Sequence, residues 1–238
     1  MNFQTMSRCR YIKPGNQVPH GFNCLLICTV IVAVWFLGGC SHNDKTWYEN
    51  GKIKSVIQKK GDHYNGTAIW YYPNGIKQQE CSYQMDTLQG ASHRWYENGK
   101  LQSVEHFDKN RLNGSLSRYN SEGKLMIECE YRMDTLHGSY REIYPSGKTK
   151  TDGNYRHGLF DGKWLYYSED GTLVGIGEYA DGDGRQRGWY PDGTLKRVIP
   201  YKKNKKHGDE IWYLPDGLIE KVLTYEDGDI IDTKDLIK

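Results

Sequence analysis

Trp95-Tyr96-Glu97-Asn98-Gly99-Lys100-Leu101 is a phrase the chain keeps restating. It returns as Trp47-Tyr48-Glu49-Asn50-Gly51-Lys52-Ile53, Tyr71-Tyr72-Pro73-Asn74-Gly75, Ile143-Tyr144-Pro145-Ser146-Gly147-Lys148, Trp189-Tyr190-Pro191-Asp192-Gly193 and Tyr213-Leu214-Pro215-Asp216-Gly217. Looser copies are Tyr119-Asn120-Ser121-Glu122-Gly123 and Tyr167-Ser168-Glu169-Asp170-Gly171. The glycines at 51, 75, 99, 123, 147, 171, 193 and 217 (Gly51, Gly75, Gly99, Gly123, Gly147, Gly171, Gly193, Gly217) are 24 residues apart except for one interval of 22. A fixed period of this size marks a repeat array, in which each unit buries its apolar side only by stacking on its neighbours.

Pro or Glu, then Asn or Asp, then Gly between apolar residues fits a hairpin whose type I turn is followed by a left-handed glycine. Pro191 presets the first turn residue, Asp192 suits the second, and Gly193 takes the positive φ that a side chain resists. A type I′ turn would suit an Asn-Gly pair alone, but Pro73 and Pro145 do not suit that backbone. The strand after each turn reads with period two. Counting from the turn glycine, position +2 is Ile53, Lys77, Leu101, Leu125, Thr149, Leu173, Leu195 or Ile219, and position +8 is Lys59, Tyr83, Phe107, Tyr131, Tyr155, Tyr179, Tyr201 or Tyr225. Even offsets put both sets on one strand face. The aromatics four residues before the glycine, such as Trp47, Trp95 and Trp189, are expected to join them in buried columns. On the same reasoning Tyr48, Tyr72, Tyr96, Tyr144 and Tyr190, one residue later, point outward and are the candidate binding residues. Trp70, Trp164, Tyr166 and Trp212 fall off the register and are also expected to face out.

Residues 1–39 stand apart. Arg8, Arg10 and Lys13 form a basic n-region, and the run from Leu25 to Leu37 is apolar and of signal-peptide length. It ends in Leu37-Gly38-Gly39-Cys40, which resembles the lipobox of bacterial lipoproteins. That resemblance implies cleavage before Cys40, lipidation of its thiol, and a membrane as partner through several acyl chains, enough for stable anchoring. Ser41 after the cysteine favours an outer-membrane over an inner-membrane address. An uncleaved signal anchor is the alternative. The expected organisation is therefore a signal peptide with its helix over 1–39, a short tether over 40–45, the repeat domain over 46–226 and a C-terminal cap or tail over 227–238.

The whole chain carries 32 Lys plus Arg against 30 Asp plus Glu; without the three basic leader residues the balance is 29 against 30. A near-neutral mature chain has no electrostatic footprint for nucleic acid. The one dense basic run, Lys202-Lys203-Asn204-Lys205-Lys206, falls where a solvated loop is expected, with a patch that binds anionic lipid or phosphate as the other reading. Beyond the leader and Cys40, only Cys81 and Cys129 remain. Both stand six residues after a turn glycine two repeats apart, which places them roughly 19 Å apart along a sheet with about 4.8 Å between strands. That is too far for a disulfide, so both are expected as free, buried thiols.

A second glycine follows the first by fifteen residues at Gly66, Gly90, Gly114, Gly138, Gly162 and Gly208, each after a polar residue, and the offset is lost in Asp181-Gly182-Asp183-Gly184-Arg185. With the turn phrase and the aromatic at +8, this pattern is similar to the MORN repeat family, in the bacterial variant found in lipoproteins and antitoxin-like proteins. Asn120-Ser121-Glu122 and Lys59 depart from it. The resemblance implies antiparallel hairpins stacked into an elongated sheet and roles in protein or membrane association, without a catalytic centre.

Enzyme motifs are absent: no nucleophile elbow, phosphate loop or His-Glu-x-x-His occurs. The histidines His42, His63, His93, His106, His137, His157 and His207 are spread over different repeats, and His137 and His207 occupy the position of Asn65, Gln89, Asn113 and Asp161, so a polar loop role is expected and no metal ligation. Asp181 to Arg185 reads as a plain turn, because Arg185 stands where a calcium loop needs an oxygen ligand. The expected fold is thus all-β, an elongated single-layer antiparallel β-hairpin array of about eight 24-residue repeats. The expected function is a non-enzymatic, lipid-anchored envelope scaffold holding a protein partner, without cofactor. Glycan or cell-wall binding through exposed aromatics, and an immunity or antitoxin role, are the alternatives.

Overall fold

The computed structural model describes residues 40–236. The leader and signal helix expected over 1–39 lie outside the described residues. Within them the chain forms eighteen β-strands and no helix. They make one antiparallel sheet in which strands pair in chain order, from Ser41–Trp47 against Ile53–Lys60 to Ile219–Glu226 against Asp229–Asp235. Lys205–Lys206 and Gly208–Tyr213 are two pieces of one interrupted strand, both paired with Leu195–Lys202.

The tether expected over 40–45 is corrected: the first strand starts at Ser41, because Ser41 to Thr46 supply the hydrogen-bond partners that Ser55 to Lys60 would otherwise lack. At the other end Asp229–Asp235 pairs with Ile219–Glu226 as the last strand, with every residue exposed.

Two kinds of corner alternate. At the turn phrase, the Gly193 amide donates to the Tyr190 carbonyl at 2.9 Å, the Tyr190 amide to the Thr194 carbonyl at 2.9 Å, and Gly193 has φ +87°. This is the bulged three-residue loop that Pro-Asp-Gly encodes. The opposite corners are two-residue turns in which both central residues have positive φ, as at Met85-Asp86, Lys109-Asn110, Met133-Asp134 and Lys203-Asn204. These four have type I′ geometry and are built without glycine. Asp86, Asn110 and Asp134 hold such corners by accepting, at 2.7 Å each, the amides of Tyr64, Leu88 and Leu112 in the preceding repeat.

Every turn phrase is followed by a one-residue slip in register. Tyr71 pairs with Lys77, but Trp70 pairs with Gln79, leaving Gln78 extra; the same shift recurs at Arg94/Trp95, Arg118/Tyr119 and Tyr166/Tyr167. A bulge exchanges the faces beyond it. The expectation that positions −4 and +2 share the buried face with +8 therefore fails. Trp47 is 57% exposed, Leu173 41% and Ile219 39%. The buried row instead runs through position +6 and its partner seven before the next glycine: Ile57, Ala68, Cys81, Leu116, Cys129, Tyr140, Trp164 and Ile199. The +8 column does lie on this side, with Phe107, Tyr155 and Tyr179 buried. Leu112, Leu136 and Phe160, the cross-strand partners of Phe107, Tyr131 and Tyr155, pack there too and were not anticipated.

The bulge also reverses the expectation for the off-register aromatics. Trp164 is 2% exposed and sits at the centre of the larger core cluster, 5.0 Å from Tyr155 and 4.6 Å from Phe160 between ring centroids, with Tyr166 beside it. Trp70 packs on the smaller cluster of Ile57, Ala68 and Cys81. Room for the large rings comes from the facing strands. Trp164 pairs with Gly177 and lies over Gly153, where a Cβ would come within 2.2 Å of the indole. Between the two clusters the row turns polar, with Ser92, Ser103 and Glu105 buried. Cys81 and Cys129 are both buried, and burial pushes the Cys129 thiol up to about 12.

The second glycine has its own reason. Opposite Gln58, three residues from Asn65 to Thr67 stand between the paired positions, and the Gln58 side chain closes the gap by accepting the Thr67 amide at 2.8 Å. It lies where a Cβ on Gly66 would fall, at 2.2 Å. In the 22-residue repeat this bulge is gone: Gly175 to Ala180 pair with Gly188 to Asp183 without a shift. The two missing residues are those of the bulge.

Replacing Trp164 with Ala is expected to cost about 3–5 kcal/mol, since it empties the centre of the core. Urea unfolding followed by circular dichroism measures this, and a cost no larger than that of an exposed substitution such as Trp47→Ala would contradict the packing described.

Candidate functional site

The five tyrosines expected as binding residues are placed by the same bulge on the buried side of the sheet, along the edge formed by the turn phrases. Each is partly buried, and each hydroxyl donates to a main-chain carbonyl 23 residues ahead: Tyr48 to Tyr71, Tyr72 to Trp95, Tyr96 to Tyr119, Tyr144 to Tyr167 and Tyr190 to Tyr213, at 2.5 to 2.9 Å. The outward orientation is thereby corrected. These hydroxyls join each turn to the next. Burial raises the Tyr72 phenol above its ordinary range. Where the tyrosine is missing, so is the rung: Asn120 caps its own turn by accepting the Glu122 and Lys124 amides, and the Ser168 hydroxyl donates to Asp170 and to the Thr172 carbonyl.

Two further series run along this edge. Asn74 and Asn98 donate to the carbonyls of Glu97 and Ser121 at 3.0 and 2.8 Å, and Lys52, Lys100 and Lys148 donate to those of Asn74, Glu122 and Asp170 at 2.6 to 3.1 Å. Within the turns, the Ser168 hydroxyl and the Thr172 amide and hydroxyl hold the Asp170 carboxyl down at about 2.

At the opposite edge, the polar residue before the second glycine accepts the main-chain amide of the next type I′ corner. Gln89 takes that of Lys109 at 3.0 Å, Asp183 that of Lys203 at 2.8 Å, and the His137 and His207 rings those of His157 and Asp227 at 3.4 and 3.5 Å. The two histidines thus do the loop work expected of their position. No group of three or more His, Cys, Asp and Glu is arranged to hold a metal among the described residues. Cys40 is exposed and directly precedes the first strand.

Repeats seven and eight, those whose turn glycines are Gly193 and Gly217, carry two groups of charged side chains. On one face a shallow groove is lined by Arg185, Arg187, Val198, Pro200, His207 and Tyr213. Arg187 is paired there with Glu178 at 3.2 Å. On the buried side Arg197, Trp212 and Lys221 are cross-strand neighbours, with cations at 5.1 and 4.9 Å from the indole centroid. Close by, Glu210 is 1% exposed and accepts from Lys206 at 2.5 Å. Burial acts to lower the Lys206 ammonium, but its bonds to Glu210 and Tyr225 outweigh this and hold it above its ordinary range.

The model of the MORN repeat variant matches residues 45–58, 64–85, 88–109, 136–157, 160–181 and 182–203, together just over half of the chain. It passes over 110–135, which contains the turn with Asn120 in place of tyrosine, and 204–238, which contains the last turn phrase. A search of curated proteins found no match.

Tyr96→Phe, which removes one rung and keeps the ring, is expected to lower stability by about 1 kcal/mol in urea unfolding. An unchanged midpoint would deny the ladder its role. The Asp170 carboxyl is depressed in the folded state, so its turn bonds contribute above the ordinary carboxylate range and are lost as pH falls towards about 2. Side-chain carbon shifts of Asp170 followed by NMR are expected to titrate well below those of an unbonded aspartate.

Proposed function

From the premise that the chain belongs to the MORN repeat variant family, we propose that it is a non-catalytic scaffold, tethered to a bacterial envelope membrane by lipid on Cys40, that holds a protein partner on its sheet. The supporting observation is the division of labour among its polar groups. Both turn edges are bonded repeat to repeat, as with Tyr96 and Gln89, so the open chemistry is left on the faces of a continuous sheet. A broad face framed by bonded edges suits a partner surface better than a small substrate.

Glycan binding through exposed aromatics is the second reading; it loses Trp164, which is buried, and Trp70, which packs against the core, and keeps Trp47, which is exposed. An immunity or antitoxin role rests on the family resemblance alone.

Expression of the full chain and its Cys40→Ser variant in a bacterial host, followed by membrane fractionation, tests the anchor. The parent is expected in the membrane fraction and the variant in the soluble one. Equal distribution of the two would sink the lipid tether. Affinity capture under the same conditions tests the scaffold: a single protein recovered in stoichiometric amount supports it, and recovery of none counts against it.

A further inference from the structure

We infer that the buried-side face of repeats seven and eight is the docking surface of this scaffold, and that it receives an acidic extended segment of the partner protein. The inference rests on the scaffold reading above and adds to it the place and the charge of what is held.

Three cations surround one indole. Lys221 Nζ, the Arg197 guanidinium and Lys196 Nζ lie 4.9, 5.1 and 6.0 Å from the centroid of the Trp212 ring, and Lys196 is also 5.2 Å from that of Tyr190. None of the three cations forms an ion pair among the described residues. Asp235 is the cross-strand partner of Lys221 yet makes no salt bridge with it, and the nearby Glu210 is already neutralised by Lys206. The Trp212 Nε1 is buried and has no acceptor among the described residues. The cluster therefore gathers donors and positive charge without an acceptor, whereas Arg141 and Arg156 in earlier repeats each meet two carboxylates. A buried donor left without a partner is costly, and like charges held together repel; an incoming carboxylate relieves both.

The residue types also fit a protein interface. Trp, Tyr and Arg are those that dominate binding energy at the centre of protein contacts. Lys196 and Lys221 have flexible stems that can part around a carboxylate. The geometry favours an extended strand because Arg197, Trp212 and Lys221 lie in one line across three adjacent strands.

The test uses fluorescence anisotropy of a labelled decaglutamate peptide with the full chain, its Arg197→Gln/Lys221→Gln variant and Trp212→Phe, each checked for an unchanged far-ultraviolet spectrum. Binding that weakens with salt and falls about tenfold in the double variant is expected, with a smaller loss in Trp212→Phe, which keeps the ring and removes the N–H. Trp212→Phe guards against a double variant that fails to fold. Inorganic phosphate and phosphatidylglycerol vesicles form the other arms. Decaglutamate affinity unchanged in both variants overturns the proposal. So does a loss confined to vesicle binding, which would make the surface a membrane contact, or displacement of the peptide by phosphate at equal concentration, which would make it a small-anion site. If the double variant still captures the partner of the parent chain, the scaffold reading stands and this surface falls.

Discussion

A sheet standing alone has no second layer to press against, so its side chains must cover one another along the surface. That constraint explains the alternation of size in the buried row. Tyr140 pairs with Gly153 and Trp164 with Gly177; the Trp164 ring lies down over Gly153 and the Tyr179 ring over Gly177, each a residue that offers only backbone. A Cβ on Gly177 would meet the Tyr179 ring at 2.3 Å, which makes the glycine as much a part of the packing as the tyrosine. Cross-strand pairs of this kind are the unit of sheet stability, and here they take the place of a conventional core. Where the row carries Ser92 and Glu105 instead, the apolar cluster is divided in two.

What the sequence made legible followed from residues with a single backbone meaning. Pro191-Asp192-Gly193 has one comfortable corner, and eight such corners in step are enough to reveal hairpins, period and the all-β class. The +8 column was legible for the same reason, and the loop role of His137 followed from its equivalence with Asn65 and Gln89. Face assignment near the turns was not. Counting even offsets through Gln78 assumes an unbroken pleat, and a bulge of one residue sends Tyr71 and Trp70 to the opposite sides from those expected. No residue type announces that bulge. Lys109-Asn110 and Met133-Asp134 likewise hide type I′ corners, because the left-handed backbone is enforced by the bonds of Asn110 and Asp134 to the preceding repeat, not by glycine. The roles of the turn tyrosines were missed for a related reason: a hydroxyl that reaches 23 residues along the chain leaves no local mark, although its regular recurrence at Tyr48, Tyr72 and Tyr96 could have pointed to it.

Function then follows from which polar groups the array leaves unused. Most repeats direct their tyrosine, asparagine and lysine side chains into their neighbours, which makes them regular and chemically quiet. Repeats seven and eight differ. They carry Arg197, Lys196 and Lys221 without an ion pair, beside a tryptophan whose N–H has no acceptor, among the described residues. Stability and recognition are therefore distributed unevenly along one continuous sheet.

The shortened repeat has a consequence of another kind. Asn204 accepts the Phe160 amide and donates to the Gly158 carbonyl, 44 and 46 residues earlier, reaching past the corner at Asp181-Gly182 that lies between. Losing two residues has drawn three successive corners into one knot while the turn phrases on the far edge keep their rung from Tyr190 to Tyr213. One margin has contracted and the other has not. An array built this way can change its pitch by deletion at a single bulge, so that the direction in which its last repeats present themselves is open to natural selection without any change in how a repeat is made.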